Sequence, residues 1–366
     1  MAKISRIEAR LVTIPPLKTR SDAIQSFVAQ ETPILTIYDD EGVSGTGYSY
    51  TIGTGGSSVM ALLEDHLLPD LLGRDTRRVE QIWHDLYFGT HATTVGPITT
   101  LALAAIDVAL WDLNCRRNGI PLHLAAGGAH GSIPVYSTES GWLNMSEKEL
   151  VHEAKQDIKR GFTATKIKVG KPSIYEDVCR LSAIRQAVGP DFQIMIDANQ
   201  GLTLPDALRR ARAFEALNLT WIEEPLPADD VLQHKQLAAH TSTPIAIGES
   251  LYSLSQFKDY LHSQACSIVQ VDVARIGGIT PWLKVAHLAQ AFNVPVSPHF
   301  LMELHLPLVC AVPNGRWLEY IPQLTPITKS SVSIKEGHAY PSAVAGHGIE
   351  WDWEAIEQVL TAKIEL

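Results

Sequence analysis

Apolar, largely β-branched residues recur in two short stretches near the start of the chain, Ile4 to Thr13 and Ile34 to Tyr38, and Asp39-Asp40-Glu41-Gly42 before Val43 reads as a hairpin turn. A small antiparallel sheet is therefore predicted at the start. Over residues 57–125 the period changes to that of a helix, most clearly from Ile98 to Asn118, where Leu101, Ala105, Val108, Trp111 and Asp112 recur until Gly119 and Pro121 end it. Residues 1–128 thus read as an α+β domain.

After Gly127-Gly128, short apolar runs alternate with amphipathic segments of roughly 10–15 residues. The runs are Pro134–Ser137, Ala164–Val169, Gln193–Asp197, Leu219–Glu223, Pro244–Gly248, Ile268–Asp272, Pro295–Ser297 and Arg316–Glu319. Eight strand–helix units predict a parallel (β/α)8 barrel over residues 129–324. From about Thr325 the alternation stops, and residues 325–366 are expected to pack back on the first domain.

The 366 residues suffice for two domains, and 45% hydrophobic with 19% charged residues is ordinary globular composition, which excludes disordered and fibrous classes. A net charge of −10 opposes a phosphate backbone or an anionic bilayer, so neither nucleic acid nor membrane is an expected partner. Cys115, Cys179, Cys266 and Cys310 lie far apart with no CxxC pair, which predicts neither a zinc site nor a disulfide framework and suits a cytoplasmic location. Lys3, Arg6, Glu8 and Arg10 break up any leader-like apolar core, and no stretch reaches the ~18 uninterrupted apolar residues of a membrane span.

Catalytic side chains of such barrels sit at the C-terminal ends of the strands, where the loops open. Here Lys168, Asp197, Glu223, Glu249, Asp272, His299 and Glu319 stand at those ends at intervals of 20 to 29 residues, making them neighbours around one mouth. Asp197, Glu223 and Glu249 on adjacent strands offer hard oxygen ligands with no Cys or His among them, which favours Mg2+ over zinc. Any one of them alone would read as a strand-end acid in a salt bridge; three in register point to a metal.

Lys166 and Lys168, two apart on one strand, face the same side. If that side is the barrel interior, the second charge and burial are expected to lower one ammonium towards the range of a general base; the alternative is a pair of solvated edge lysines. Asp272 and His299 on consecutive strands could form a carboxylate–imidazole dyad. Gly53-Thr54-Gly55-Gly56-Ser57-Ser58 lacks the setting of a dinucleotide fingerprint and reads as a flexible loop. Trp142, Met302 and His305 could line a pocket or belong to the core.

These residues resemble the enolase superfamily, mandelate racemase subgroup. The likeness rests on Lys166-Ile167-Lys168-Val169-Gly170, Asp197-Ala198-Asn199-Gln200, Trp221-Ile222-Glu223-Glu224-Pro225, Gly248-Glu249-Ser250, Asp272 followed by Arg275-Ile276-Gly277-Gly278-Ile279, Pro298-His299-Phe300 and Trp317-Leu318-Glu319, with the helix Ala105–Leu113 similar to the capping-domain signature. It implies a modified (β/α)8 TIM barrel under an α+β capping domain completed by the C-terminal tail. It also implies Mg2+ on Asp197, Glu223 and Glu249, with Lys168 on one face of the substrate and the His299–Asp272 dyad on the other. Glu319 would hydrogen-bond the developing enediolate, and Lys166 would depress Lys168 and contact the substrate carboxylate. Mandelate racemase has a lysine where this chain has Arg275, which weakens the substrate match.

The capping-domain loops, residues 15–22 and 47–56, are rich in hydroxyl and charged groups suited to a polyhydroxylated acid. Together with Pro298–His305 they look closest to the galactarate/talarate dehydratases of the subgroup. The expected substrate is thus a small carboxylate, an acid sugar undergoing dehydration, with Asn199, Tyr48, Arg20 and His305 as further substrate contacts beside Lys166 and Glu319. Racemisation of a 2-hydroxy acid is the alternative, and a non-catalytic binding protein a remote one. Subgroup relatives imply a homo-oligomer.

Overall fold

The computed structural model describes residues 2–366. The first sheet is built from β1 (Ile4–Ile14), β2 (Gln30–Asp39), β3 (Ser44–Tyr48) and the two-residue β4 (Thr51–Ile52), with β2 paired antiparallel to the other three. The predicted hairpin is present, Tyr38 lying opposite Ser44. The glycine-rich segment expected as a flexible loop instead leads into the helix α1 (Gly56–Leu62), where Thr51 Oγ1 (2.6 Å) and the Gly56 N–H (2.9 Å) both donate to Glu31.

After α2 (Val79–Gly89), the long helix α3 (Pro97–Arg117) packs across the sheet. Helix α3 is long and apolar enough to cross a bilayer, yet it is buried as the core helix of this domain, as an all-round apolar helix of a folded protein must be. One of its two buried acids, Asp107, accepts from the Thr280 N–H (2.9 Å) and hydroxyl (2.6 Å), which docks the domain on a barrel helix.

The barrel runs through β5 (Ile133–Ser137), β6 (Ala164–Lys168), β7 (Gln193–Asp197), β8 (Ile222–Glu223), β9 (Ile245–Ile247) and β10 (Ile268–Val269), all parallel neighbours. At the seventh position the predicted run shrinks to one bridging residue, Val296, between Val269 and Gly315; β11 (Leu318–Tyr320) then pairs with β5 and closes the ring. Beneath the mouth Tyr136, Met195, Trp221 and Trp317 plug the interior.

The eight predicted strand–helix units need one correction. Seven helices follow the first seven strand positions, the last being Met302–Ala311, but β11 is followed by a hairpin, β12 (Ser333–Lys335) and β13 (His338–Tyr340). Strand β13 pairs antiparallel with the foot of β5. The chain ends in β14 (Leu360–Glu365), which pairs with β1 and completes the first sheet.

Candidate active site

Lys166 and Lys168 point into the barrel from β6 and are almost fully buried, as period 2 requires of two alternate residues. The segment after β5 braces that strand: the Lys168 N–H donates to the Gly141 carbonyl at 2.7 Å, so close that any Cβ on Gly141 would overlap the Lys166 backbone. Lys166 Nζ lies 2.6 Å from Glu223 Oε1, 2.8 Å from Glu319 Oε1 and 3.5 Å from Asp197 Oδ2; Lys168 Nζ lies 2.5 Å from Asp197 Oδ2.

Asp197, Glu223 and Glu249 are all buried, and one oxygen from each can be chosen so that all three lie within 4.8 Å of one another. Glu223 also accepts from Trp221 Nε1 (3.0 Å) and Gln270 Nε2 (2.7 Å), which leaves its orientation fixed. Glu249 follows Gly248, a residue with φ +148° at which a Cβ would come within 2.9 Å of the Gln270 backbone; only glycine lets β9 lie this close to β10 while turning Glu249 inward. Glu249 Oε2 is buried with no hydrogen-bond donor, an oxygen left for a cation.

At the other end of this acidic arc stands the dyad. His299 Nδ1 lies 2.9 Å from Asp272 Oδ2, and His299 Nε2 lies 3.5 Å from Glu249 Oε2. The carboxylates thus form a row with Lys168 touching one end through Asp197 and His299 the other through Glu249. Glu319, on the closing strand, accepts from Thr138 Oγ1 (2.6 Å) and the Phe300 N–H (2.7 Å).

The electrostatics depart from one expectation. Burial works most strongly to lower Lys168, and Lys166 adds to that, but Asp197 together with Glu249 and Glu223 outweighs both and holds the ammonium above its ordinary range. Burial likewise disfavours ionised Asp197, yet Lys168 and Lys166 keep it well below the usual carboxylate range. Glu223, buried and facing Asp197, is driven up instead. Burial also opposes ionisation of Glu319, but Lys166 brings it down to about 2, so in this state it is a hydrogen-bond acceptor and not a donor.

Three expected substrate contacts sit elsewhere. His305 is fully buried with both ring nitrogens engaged, Nε2 accepting from the Val273 N–H (3.0 Å) and Nδ1 facing the Phe300 carbonyl (2.9 Å), which leaves no atom for a ligand. Tyr48 is buried edge-on against Trp351 of the C-terminal segment. Arg20 is buried in an ion pair with Glu139 (2.6 Å) and donates to the Pro322 carbonyl, so it clasps the 15–29 loop to the barrel. Asn199 stays beside the arc, its N–H on Asp197 Oδ1 (2.8 Å) and its own Oδ1 without a donor.

Of the pocket candidates, Met302 belongs to the core, whereas the Trp142 ring lies 5.5 Å from Lys168 Nζ and edge-on to Phe27 of that same loop. A residue that sequence reasoning missed is Tyr50, whose hydroxyl donates to Asp272 Oδ2 at 2.8 Å. Its alternation with Tyr48 gave no way to choose between them, because β3 ends at Tyr48 and the chain turns towards the barrel.

A capped barrel with acidic strand ends, a lysine pair and a His–Asp dyad defines a class of enzyme scaffold, and the comparisons agree. Residues 6–126 match the mandelate racemase/muconate lactonizing enzyme N-terminal domain, and residues 149–355 match the enolase C-terminal domain-like family. The chain belongs to this family, within the enolase superfamily.

Among its relatives, an L-talarate/galactarate dehydratase of Salmonella typhimurium is 36% identical over 315 residues, 86% of this chain and 79% of that one. A 3,6-anhydro-alpha-L-galactonate cycloisomerase of Streptomyces coelicolor is 32% identical, covering 96% of this chain and 98% of that one. The crystal structure of the Salmonella dehydratase liganded with Mg and L-lyxarohydroxamate superposes with a TM-score of 0.96 at 32% identity, over 100% of this chain and 94% of that one.

Proposed function

We propose that this protein is a Mg2+-dependent acid-sugar dehydratase that removes the proton α to a carboxylate. The observation that carries this reading is the acidic row of Asp197, Glu223 and Glu249 with a candidate base at each end, Lys168 and His299. The likeness to a talarate/galactarate dehydratase supports an aldarate or aldonate as the substrate class.

The three carboxylates fit Mg2+: their donor set is all hard oxygen, and Glu249 Oε2 is buried without a hydrogen-bond donor. Mg2+ would supply positive charge that offsets the acidic row, loosening the hold of Asp197 on the Lys168 proton, and Lewis-acid stabilisation of a developing enediolate. Lys166 binds the substrate carboxylate. Lys168 or His299 takes the α-proton, according to the configuration at that carbon. As Lys166 turns from Glu319 to the substrate, the charge that keeps Glu319 ionised moves away; Glu319 then takes a proton from solvent before the site closes on substrate and donates a hydrogen bond to the enediolate oxygen. His299, as imidazolium, protonates the departing β-hydroxyl, which leaves as water, and the enol tautomerises to a 2-keto-3-deoxy acid. Arg20 holds the 15–29 loop closed, and Asn199 offers its free carbonyl oxygen to a substrate hydroxyl.

A cytoplasmic location and a homo-oligomeric state belong to the same reading. Four free cysteines support the first, and light scattering tests the second. The direct test of function is a screen of acid sugars for keto-acid formation with Mg2+ in D2O. Keto acid that vanishes with chelator is the expected result; deuterium returned to inverted substrate without keto acid would make the protein a racemase.

A further inference from the structure

Both oxygens of Asp272 are fully occupied. Oδ1 accepts from the backbone N–H groups of Ala274 (2.8 Å) and Arg275 (3.1 Å), and Oδ2 lies 2.9 Å from His299 Nδ1 and accepts from Tyr50 Oη at 2.8 Å. Three of these partners come from the barrel. The fourth crosses from the capping domain.

Tyr50 is 2% exposed, and its ring lies on Phe300 at 4.7 Å between centroids, the same Phe300 whose N–H holds Glu319. The Arg275 guanidinium lies 5.8 Å from the Tyr50 ring centroid and donates to the Glu249 carbonyl at 2.9 Å. The ring has ample packing without its oxygen, and Asp272 is the acceptor the hydroxyl reaches. A buried hydroxyl aimed at one carboxylate oxygen fixes the rotation of that carboxylate and so the direction in which it holds the imidazole.

We propose that Tyr50 is a positioning residue for the Asp272–His299 dyad: its hydroxyl locks the carboxylate so that His299 keeps its proton on Nδ1 and turns Nε2 to the substrate. The two bases then depend differently on the capping domain. The orientation of His299 draws on that domain through Tyr50, whereas Lys168 is held by Asp197 within the barrel itself. As a statement about catalysis this rests on the proposed dehydratase reading; as a statement about His299 geometry it does not.

The test is Tyr50→Phe, which keeps the ring and removes only the hydroxyl. With an acid sugar that turns over, dehydration and α-deuterium exchange through His299 should fall about tenfold with KM changed less than about twofold, while exchange on the Lys168 face stays within about twofold. Equal loss on both faces, or no loss on either, would overturn the proposal. If no acid sugar turns over in the wild type, the functional reading fails, and 15N NMR of the imidazole decides the positioning role alone. A His299 Nδ1–H signal that broadens or splits between tautomers in Tyr50→Phe supports it; a signal identical to wild type overturns it.

Discussion

Glu223 shows how much a single side chain carries in this site. It sits between Asp197 and Glu249, accepts from Trp221 and Gln270 and pairs with Lys166, so Glu223→Gln keeps shape while deleting one of three ligand charges. Mg2+ affinity, read by titration calorimetry, should fall on the order of a hundredfold. His305 gives the opposite lesson, a histidine near the mouth that holds backbone. Burial brings it down to about 4 from an ordinary 6.5, so between those values the unfolded chain takes up a proton that the folded one refuses.

Stability supplied by neutral His305 is therefore whole above about pH 6.5 and lost as pH falls towards 4, by up to about 3 kcal/mol. His305→Asn should cost about 2 kcal/mol at pH 7.5 through its backbone hydrogen bonds, and the gap to wild type should close on acidification in denaturant titrations. A gap constant with pH would contradict the assignment.

Elements place these residues, and the strands were more legible than the loops. Alternation along β6 and acids at successive strand ends located Lys166, Lys168, Asp197, Glu223 and Glu249 because side-chain direction in a strand follows from period alone. The seventh strand's reduction to Val296 and the missing eighth helix were not legible, since short apolar runs carry no information on how many ladder bonds they make. Nor was the choice of Tyr50 over Tyr48, which depends on where β3 ends and how the capping domain docks. Gly141 is the element-scale prediction: Gly141→Ala drives a Cβ into the Lys166 backbone, so β6 must shift. A loss of about 3 kcal/mol in stability together with a fall in kcat is expected, measured by denaturation and turnover on one preparation.

The whole molecule is held by exchanges between its ends. Strand β14 closes the edge of β1, Asp107 reaches Thr280, and the 15–29 loop is clasped through Arg20 and Glu139 over the mouth. A chain shortened after Val359 leaves the outer edge of β1 unpaired, and a lower thermal midpoint with concentration-dependent association should follow; an unchanged midpoint would show that β14 adds nothing.

The central claim is that two bases serve one metal-bound carboxylate from opposite sides, and NMR of α-deuterium incorporation by Lys168→Ala and His299→Asn tests it most directly. Each variant should bind Mg2+ as the wild type does and lose exchange of the proton on its own face only, with His299→Asn also failing to expel the β-hydroxyl. Wild-type exchange and dehydration in His299→Asn would contradict the account.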